Sequence, residues 1–176
     1  MPRLFTALEI PVELAEELAL FRGGIAGGRW IDPEFYHITL RFIGDVDRAV
    51  ARDVVSTLAQ IRRSSLNVTL TGLDYFGGER PRAIVAKVQP SQPLLELQAE
   101  QERLLRRIGF EPEPRKFTPH VTLARLRQAS QISVADYLSA RGFLSRSFTA
   151  TRFVLLSSRD SVGGGPYQLE ASYPLL

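Results

Sequence analysis

Two four-residue stretches decide the fold of this chain, HITL at residues 37–40 and HVTL at residues 120–123. Each lies in a segment rich in β-branched and aromatic residues, 36–42 and 120–126, which predicts a β-strand. Residues i and i+2 of a strand point to the same face. Each motif therefore places an imidazole beside a threonine hydroxyl on one face and two aliphatic side chains on the other. The motifs begin about half a chain length apart, which favours two copies of one structural unit.

The histidine and cysteine counts narrow the chemistry. The 176 residues include two histidines, His37 and His120, and no cysteine. The absence of cysteine excludes thiol nucleophiles, iron–sulfur clusters, zinc ribbons and disulfide scaffolds. Two imidazoles can hold opposite protonation states near neutral pH, one as a base and one as an acid. Thr39 and Thr122 can donate hydrogen bonds to phosphate oxygens that gain charge in a transition state. The pair of motifs therefore predicts metal-independent hydrolysis of a phosphodiester by in-line displacement.

Other interpretations of the two motifs are weaker. Two neutral imidazoles could bind zinc, but no cysteine exists and no third ligand lies at the usual short spacing from either motif. A Ser-His-Asp triad is compatible with the composition, although no GxSxG nucleophile elbow occurs. Either motif alone would most simply be half-buried sheet, because threonine is a good strand former. The occurrence of both histidines in the same context favours catalysis.

Composition and charge indicate a soluble globular protein, with 44% hydrophobic and 23% charged residues. Twenty-two basic and 19 acidic residues give a net charge of +3, which suits an anionic substrate. Nearly all basic residues are arginine, which binds phosphate through paired hydrogen bonds, although a preference for arginine codons is the simpler explanation. The N-terminal MPRLFTALEIP resembles neither a signal peptide nor a membrane anchor. We expect a cytoplasmic protein with no membrane contact.

The remaining sequence predicts a mixed order of strands and helices in a single domain, residues 1–176. Strands are predicted over 3–9, 36–42, 66–73, 82–88, 120–126, 146–157 and 166–173. Helices are predicted over 11–21, 47–62 and 93–108, with a short fourth helix capped by Ser133 and ending at Gly142. Because the order lacks a strict βαβ alternation, the predicted fold class is α+β.

Four segments resemble the 2H phosphoesterase superfamily, and within it the bacterial and archaeal RNA 2′,3′-cyclic phosphodiesterases, also called 2′-5′ RNA ligases. They are RLFTALEIP at the start, RWIDPEFYHITLRFIGDV and KFTPHVTLARLR around the motifs, and GGGPYQLEASYPL at the end. The likeness therefore runs nearly end to end. It implies two pseudo-symmetric lobes, each a mostly antiparallel sheet with helices outside and one HxTx motif. It also implies a central groove that carries both motifs.

The resemblance implies a reaction as well as a fold. A terminal 2′,3′-cyclic phosphate on RNA would be hydrolysed to a 2′-phosphomonoester without a metal or other cofactor. His37 would protonate the leaving 3′ oxygen and His120 would activate water. The sequence itself does not orient this pair, because the two motifs are nearly interchangeable. Thr39 and Thr122 would hold the phosphate oxygens.

An arginine near the phosphate is the third part of the implied site. Arg125 matches an arginine that the family uses there. Strict alternation places Arg125 on the opposite face from His120, so this role requires a bulge or a strand end. Arg41, four residues after His37, falls on the face of His37 by strict alternation and is the substitute candidate. Its simpler explanation is a solvated surface charge.

Aromatic side chains are candidates for holding the base of an RNA end by stacking. Phe42 and Tyr167 are the predicted substrate-binding aromatics, and Phe5 and Tyr36 are further candidates. Each has the alternative of packing in the core, where aromatic residues are common. The glycine-rich SVGGGP at 161–166 lacks the lysine of a phosphate-binding P-loop, so no such loop is predicted.

Two other functions stay open at this point. The first is 2′-5′ ligation of RNA halves with 2′,3′-cyclic phosphate and 5′-hydroxyl ends, which the same histidines could catalyse by microscopic reversibility. The second is a non-catalytic module that binds nucleotides or RNA, although pure binding does not need two titrating groups. The expected partner is an RNA end or short oligonucleotide with a 2′,3′-cyclic phosphate, bound by a monomer.

Overall fold

The computed structural model describes residues 3–143, 145–158 and 165–176, which form nine strands and four helices. The strands are β1 (Arg3–Glu9), β2 (Gly28–Trp30), β3 (His37–Asp45), β4 (Leu66–Phe76), β5 (Ala83–Val88), β6 (His120–Leu126), β7 (Arg146–Ala150), β8 (Arg152–Ser158) and β9 (Tyr167–Pro174). The helices are α1 (Val12–Ala19), α2 (Arg48–Leu58), α3 (Gln92–Arg107) and α4 (Gln131–Ser139). The predicted α+β class is confirmed.

Several elements differ from the prediction. The strand predicted over 146–157 is two strands, β7 and β8, which pair with β4 and β1 in opposite halves of the sheet. Strand β2 was not predicted, because three residues are too few to show a period. Helix α4 begins earlier than predicted, since its cap is Ser130, whose hydroxyl oxygen accepts from the backbone N–H of Ser133. Within the glycine-rich 161–166 segment, residues 161–164 lie outside the described part of the chain.

The nine strands form one antiparallel sheet in the order β7-β4-β5-β6-β3-β1-β8-β9, with β2 added to β6. The order is symmetric, because four strands lie on each side of the β6–β3 boundary and each side contains one motif strand. The units β1-α1-β3-α2 and β5-α3-β6-α4 also repeat along the chain. The ladder between β3 and β6, which joins the two halves of the sheet, consists of one residue pair, Ile38 opposite Val121. The sheets predicted for the two lobes are therefore joined into one.

The helices cover the face of the sheet that lies opposite the two histidines. Ile38 and Leu40 of the first motif, and Val121 and Leu123 of the second, belong to a single buried cluster. Apolar side chains from all four helices complete it: Leu14 and Leu18 of α1, Val54 and Leu58 of α2, Leu94, Leu97 and Leu105 of α3, and Val134 of α4. A one-residue slip of either motif strand would expose its aliphatic pair and bury its histidine. The core therefore determines the face on which both histidines lie.

The face that carries the histidines has a smaller apolar cluster on the half that contains β1 and β8. Phe5, Ala7 and Val154 are buried there, and Leu156 and Tyr167 pack beside them. Within the described residues, no helix has the length and apolar character needed to cross a membrane.

Candidate active site

Both motif strands contain a β-bulge at the leucine that ends the motif. In the pairing of β1 with β3, Leu40 has no partner residue on β1. In the pairing of β5 with β6, Leu123 has no partner residue on β5. An extra residue reverses the alternation of faces beyond it. As a consequence, the residue five places after each histidine returns to the face of that histidine. This residue is Phe42 in β3 and Arg125 in β6.

Arg125 therefore lies on the face of the sheet that carries both motifs. The bulge that this placement requires is present in β6, directly after the second motif. Arg125 is exposed, and it lies opposite Arg29 of β2 on one side and Ala83 of β5 on the other. None of the carboxylates in the described residues forms an ion pair with it.

The expectation that Arg41 lies in the groove is wrong, because the bulge at Leu40 turns Arg41 towards the core. Arg41 is only 7% exposed. Its guanidinium pairs with Glu102 of α3 and donates to the backbone carbonyls of Phe42 and Glu111. Glu102 also accepts from the backbone N–H of Glu113, 3.0 Å away. Arg41 thus connects the first motif strand to the loop that leads to the second motif.

The two motifs lie side by side on antiparallel neighbouring strands at the centre of the sheet. Antiparallel pairing at Ile38 and Val121 sets His37 opposite Thr122, and Thr39 opposite His120. All four polar side chains are on one face, since each is one residue from the central pair. The structure therefore brings together the two imidazoles and two hydroxyls of the predicted site.

Both imidazoles are held in the same tautomer. The Nδ1–H of His37 donates to the Phe35 carbonyl over 2.9 Å, and the Nδ1–H of His120 donates to the Thr118 carbonyl over 2.8 Å. A carbonyl only accepts, so it fixes the proton on Nδ1 of the neutral ring. Nε2 of each histidine is left with a lone pair.

Thr39 makes the first site different from the second. Its hydroxyl donates to Nε2 of neutral His37 over 2.9 Å. When His37 is protonated, its Nε2–H becomes the donor and the hydroxyl proton of Thr39 is free to bind another acceptor. The described hydrogen bonds include no corresponding contact between Thr122 and His120. The Nε2 lone pair of His120 is the more available to a ligand.

Aromatic rings pack against both histidines. The ring centroid of His37 lies 5.1 Å from that of Phe5 and 5.2 Å from that of Tyr167, which meets it edge-on. The His120 ring lies 4.7 Å from Phe76, also edge-on. Phe76, in β4, therefore lies beside the second motif, although the sequence does not predict it there. No local signal marks it, because the pairing of β4 with β5 brings it to the groove.

The four candidate stacking residues differ in the exposure of their side chains. Phe5 and Tyr36 are both 4% exposed and belong to the protein interior. Phe42 is 52% exposed and packs on Phe5 with ring centroids 5.8 Å apart. Tyr167 is half-buried between Phe35 and His37. Of the four, Phe42 and Tyr167 are thus the rings that present surface beside the histidines.

Burial and positive charge lower the pKa of both histidines. The pKa of His37 falls to about 4, mainly through burial, with further lowering by His120 and Arg125 and an opposing effect of the Phe35 carbonyl. The pKa of His120 is lowered mainly by burial and also by Arg125 and Arg82, against the Thr118 carbonyl. Arg82, just before β5, was not predicted either, and its nearness depends on the same strand pairing. Both shifts favour the neutral form of the two rings.

No cluster of three or more His, Asp or Glu side chains suited to a metal ion occurs in residues 3–143, 145–158 and 165–176. The chemistry that this part of the chain offers consists of two lone-pair nitrogens, two hydroxyls and exposed guanidinium groups on one face.

Residues 11–161 match the model of a family described as the 2′-5′ RNA ligase superfamily. An Aeropyrum pernix protein named RNA 2′,3′-cyclic phosphodiesterase is 40% identical over 104 residues, which cover 58% of this chain and 59% of that protein. The Geobacillus stearothermophilus protein of the same name is 28% identical over 98% of this chain and 57% of its own length. The alignments therefore span under two thirds of these two relatives. The Escherichia coli K12 protein of that name is 28% identical over 94% of this chain and 92% of its own.

Solved structures with the same fold cover almost the entire chain. The Escherichia coli LigT structure with 3′-AMP superposes with a TM-score of 0.78 at 25% identity, over 99% of both chains. The TT0787 structure from Thermus thermophilus superposes with a TM-score of 0.81 at 22% identity, over 98% of this chain and 97% of that one.

Proposed function

The chain belongs to the 2′-5′ RNA ligase superfamily, and we propose that its reaction is hydrolysis of RNA 2′,3′-cyclic phosphate ends to 2′-phosphomonoesters. The resemblance noted from the motifs is thereby confirmed at the level of the family. The relatives named RNA 2′,3′-cyclic phosphodiesterase support this choice of reaction.

The observation that carries the proposal is the matched presentation of two imidazoles. Each histidine is anchored through Nδ1 to the carbonyl two residues earlier, so each directs the reactive Nε2 away from its anchor. The strands that carry them are paired about Ile38 and Val121, which places the rings on one face. An in-line displacement at phosphorus needs two such groups, one for the attacking oxygen and one for the leaving oxygen.

In the proposed reaction, His120 accepts a proton from water as the water oxygen attacks phosphorus. His37 donates a proton to the 3′ oxygen as its bond to phosphorus breaks. The product retains the phosphate on the 2′ oxygen and carries a 3′-hydroxyl. His37 must be protonated for this step. Its pKa is lowered mainly by burial and also by the positive charge of His120 and Arg125, and the negative phosphate favours protonation because it opposes that positive charge.

The remaining polar groups stabilise the phosphate oxygens. Protonated His37 releases the hydroxyl proton of Thr39, which can then donate to a non-bridging oxygen. Thr122, opposite His37 on the neighbouring strand, would donate to the second. Arg125 supplies a positive charge on the same face, and Phe42 and Tyr167 are the proposed contacts for the terminal base or ribose. No metal takes part in this scheme.

The lowered pKa values predict an acidic optimum. For kcat/KM, which reflects the free enzyme, we expect a maximum below pH 6.5. Above both pKa values neither imidazole holds a proton for the leaving oxygen, so kcat/KM should fall about tenfold per pH unit. Because the pair titrates together, the curve does not assign the acid and the base. A pH profile on a cyclic-phosphate oligonucleotide measures this, and an optimum at pH 7 or above would contradict it.

The variant Arg125→Ala tests whether the charge of Arg125 contributes to the lowered pKa values of the histidines. Arg125 lowers the pKa of both histidines, so its loss should shift the alkaline limb of the profile to higher pH. Arg106→Ala, on α3 behind the sheet, is a charge-matched control that should leave the limb in place. An unchanged limb in Arg125→Ala would show that its charge does not act on the histidines.

Ligation is the second candidate, because the matching family model is described by that activity. A 5′-hydroxyl oxygen in place of water would be deprotonated by His120 and would form a 2′-5′ bond. A mixture of RNA halves with 2′,3′-cyclic phosphate and 5′-hydroxyl ends separates the two activities, since only ligation lengthens the RNA.

A direct assay tests the proposed function. The protein is incubated with an oligoribonucleotide that ends in a 2′,3′-cyclic phosphate, with excess EDTA throughout. We expect multiple turnovers at the same rate with and without EDTA. Loss of turnover in EDTA would contradict the metal-free scheme. Binding without turnover would indicate a non-catalytic module.

We also propose that residues 1–176 act as one domain whose two lobes are copies of the β-α-β-α unit. Since both motifs of the site lie in one chain, the protein should work as a monomer. The proposed RNA substrate favours a cytoplasmic location. Activity that is linear in protein concentration, down to concentrations where only monomer is detected, would support this.

A further inference from the structure

The neighbouring residues Arg41 and Phe42 reverse the usual burial of their residue types. Arg41 is 7% exposed and Phe42 is 52% exposed, whereas arginine usually lies at the surface and phenylalanine in the interior. Strict alternation after His37 would give the usual arrangement, with Arg41 on the groove face and Phe42 in the core. The observed reversal needs stabilising contacts, and a broken local rule of this kind is expected at a functional site.

Two bulges make the reversal possible. Leu40 and Ile43 both have no partner residue on β1, and the two residues between them, Arg41 and Phe42, are paired with β1. Each bulge reverses the alternation of faces, so the second bulge restores what the first reversed. The orientation of Arg41 and Phe42 is therefore not dictated by alternation along the rest of β3.

Helix α3 supplies the contacts that keep Arg41 on the core side. The carboxylate of Glu102, itself only 17% exposed, pairs with the guanidinium of Arg41. One turn earlier, the side-chain amide of Gln98 donates to the carbonyl of Leu40, 3.4 Å away. A buried guanidinium without a partner is strongly unfavourable. The negative charge of Glu102 therefore favours the orientation in which Arg41 is inside and Phe42 is outside.

This orientation places Phe42 in the groove. Its ring packs on Phe5 with centroids 5.8 Å apart, and the Phe5 ring lies 5.1 Å from that of His37. The exposed part of Phe42 thus continues the aromatic surface beside His37, where a base can pack.

We propose that Glu102 is a positioning residue, which acts through Arg41 to hold Phe42 where it binds the base of the terminal nucleotide. This inference rests on the proposed function. It assigns to a residue behind the sheet a part in how strongly the base contributes to substrate recognition.

Two substrates with the same reacting group test the proposal. They are adenosine 2′,3′-cyclic phosphate and methyl β-D-ribofuranoside 2,3-cyclic phosphate, in which a methoxy group replaces the base. The readout is the ratio of kcat/KM with the base to kcat/KM without it. This ratio cancels changes in the concentration of active protein and in the pKa values of the histidines, which affect both substrates alike.

Phe42→Ala should lower the ratio about 10-fold, within the range for a lost contact between a base and an aromatic ring. Glu102→Gln, which retains the shape of the side chain and removes its charge, should lower the ratio in the same way. The double variant Phe42→Ala/Glu102→Gln should have a ratio no lower than that of Phe42→Ala, because both changes remove one contact.

The double variant Arg41→Met/Glu102→Gln should recover the wild-type ratio, because an apolar side chain at position 41 stays on the core side without an ionic partner. It leaves no charge of this pair buried alone, so it tests the proposal even if Glu102→Gln does not fold. Glu100→Gln is the matched control. This carboxylate lies on the same helix, is 21% exposed and pairs with Arg63 over 2.7 Å, so its loss should leave the ratio unchanged.

A wild-type ratio in Glu102→Gln, or a low ratio in Arg41→Met/Glu102→Gln, would overturn the positioning role of Glu102. A wild-type ratio in Phe42→Ala would overturn it as well, since Phe42 would then not contact the base. No turnover of either substrate by the wild-type protein would instead refute the proposed function.

Discussion

Replacing His120 with alanine is expected to lower kcat/KM for a cyclic-phosphate oligonucleotide about 10³-fold, within the 10²- to 10⁴-fold range of a lost general acid or base. His37→Ala should cause a loss of the same order. The two groups serve one step, one at each end of the displacement. The double variant should therefore be little worse than either single variant. Steady-state rates on purified proteins with wild-type melting temperatures measure these effects.

Two further measurements separate a catalytic role from a structural one. Added imidazole should restore part of the activity of His120→Ala, since a small base can enter the space that the ring leaves. Each single variant should also lose one limb of the pH profile. Losses below tenfold, or a pH profile that keeps both limbs, would show that the histidines do not act as the acid and the base.

Removal of the Arg41 guanidinium is expected to cause a large loss of stability. Arg41→Met should lower the free energy of unfolding by about 3–5 kcal/mol. The reason is that the substitution leaves the Glu102 carboxylate, 17% exposed, without its guanidinium partner, and two backbone carbonyls without a donor. Urea denaturation of the wild type and the variant measures the difference.

The exposed ion pair between Arg152 and Glu9 is a matched control. These side chains are 44% and 47% exposed, so Glu9→Gln should cost at most about 1 kcal/mol. The double variant Arg41→Met/Glu102→Leu should recover part of the loss of Arg41→Met, because no buried charge is then left unpaired. A cost for Arg41→Met as small as that of Glu9→Gln would show that the buried pair does not stabilise the fold.

The sequence was most informative where a local period decides the structure. Strand β6 begins and ends at the predicted residues, and the i, i+2 spacing placed each histidine and threonine on one face. The need for a bulge before Arg125 also followed from the alternation of side chains along the strand, because Arg125 is an odd number of residues after His120. These features depend on backbone geometry within one strand, which the residue order contains.

Features that depend on distant pairing were missed or mistaken. Strict alternation of faces along β3 predicts that Arg41 points into the groove. The bulge at Leu40, which arises from the register with β1, turns Arg41 to the other face. Phe76 and Arg82 approach His120 only because β4, β5 and β6 are neighbours. The division of 146–157 into β7 and β8 follows from partners in opposite halves of the sheet. None of these pairings leaves a signal in the local sequence.

The position of the phosphate in the product tests the central claim most directly. The dinucleotide ApA with a 2′,3′-cyclic phosphate is hydrolysed to completion in EDTA, and the product is identified by ³¹P NMR against authentic 2′- and 3′-phosphates. If His37 protonates the 3′ oxygen while His120 activates water, the product is the 2′-phosphate with a free 3′-hydroxyl. A 3′-phosphate, or a cyclic phosphate that remains intact, would contradict the account.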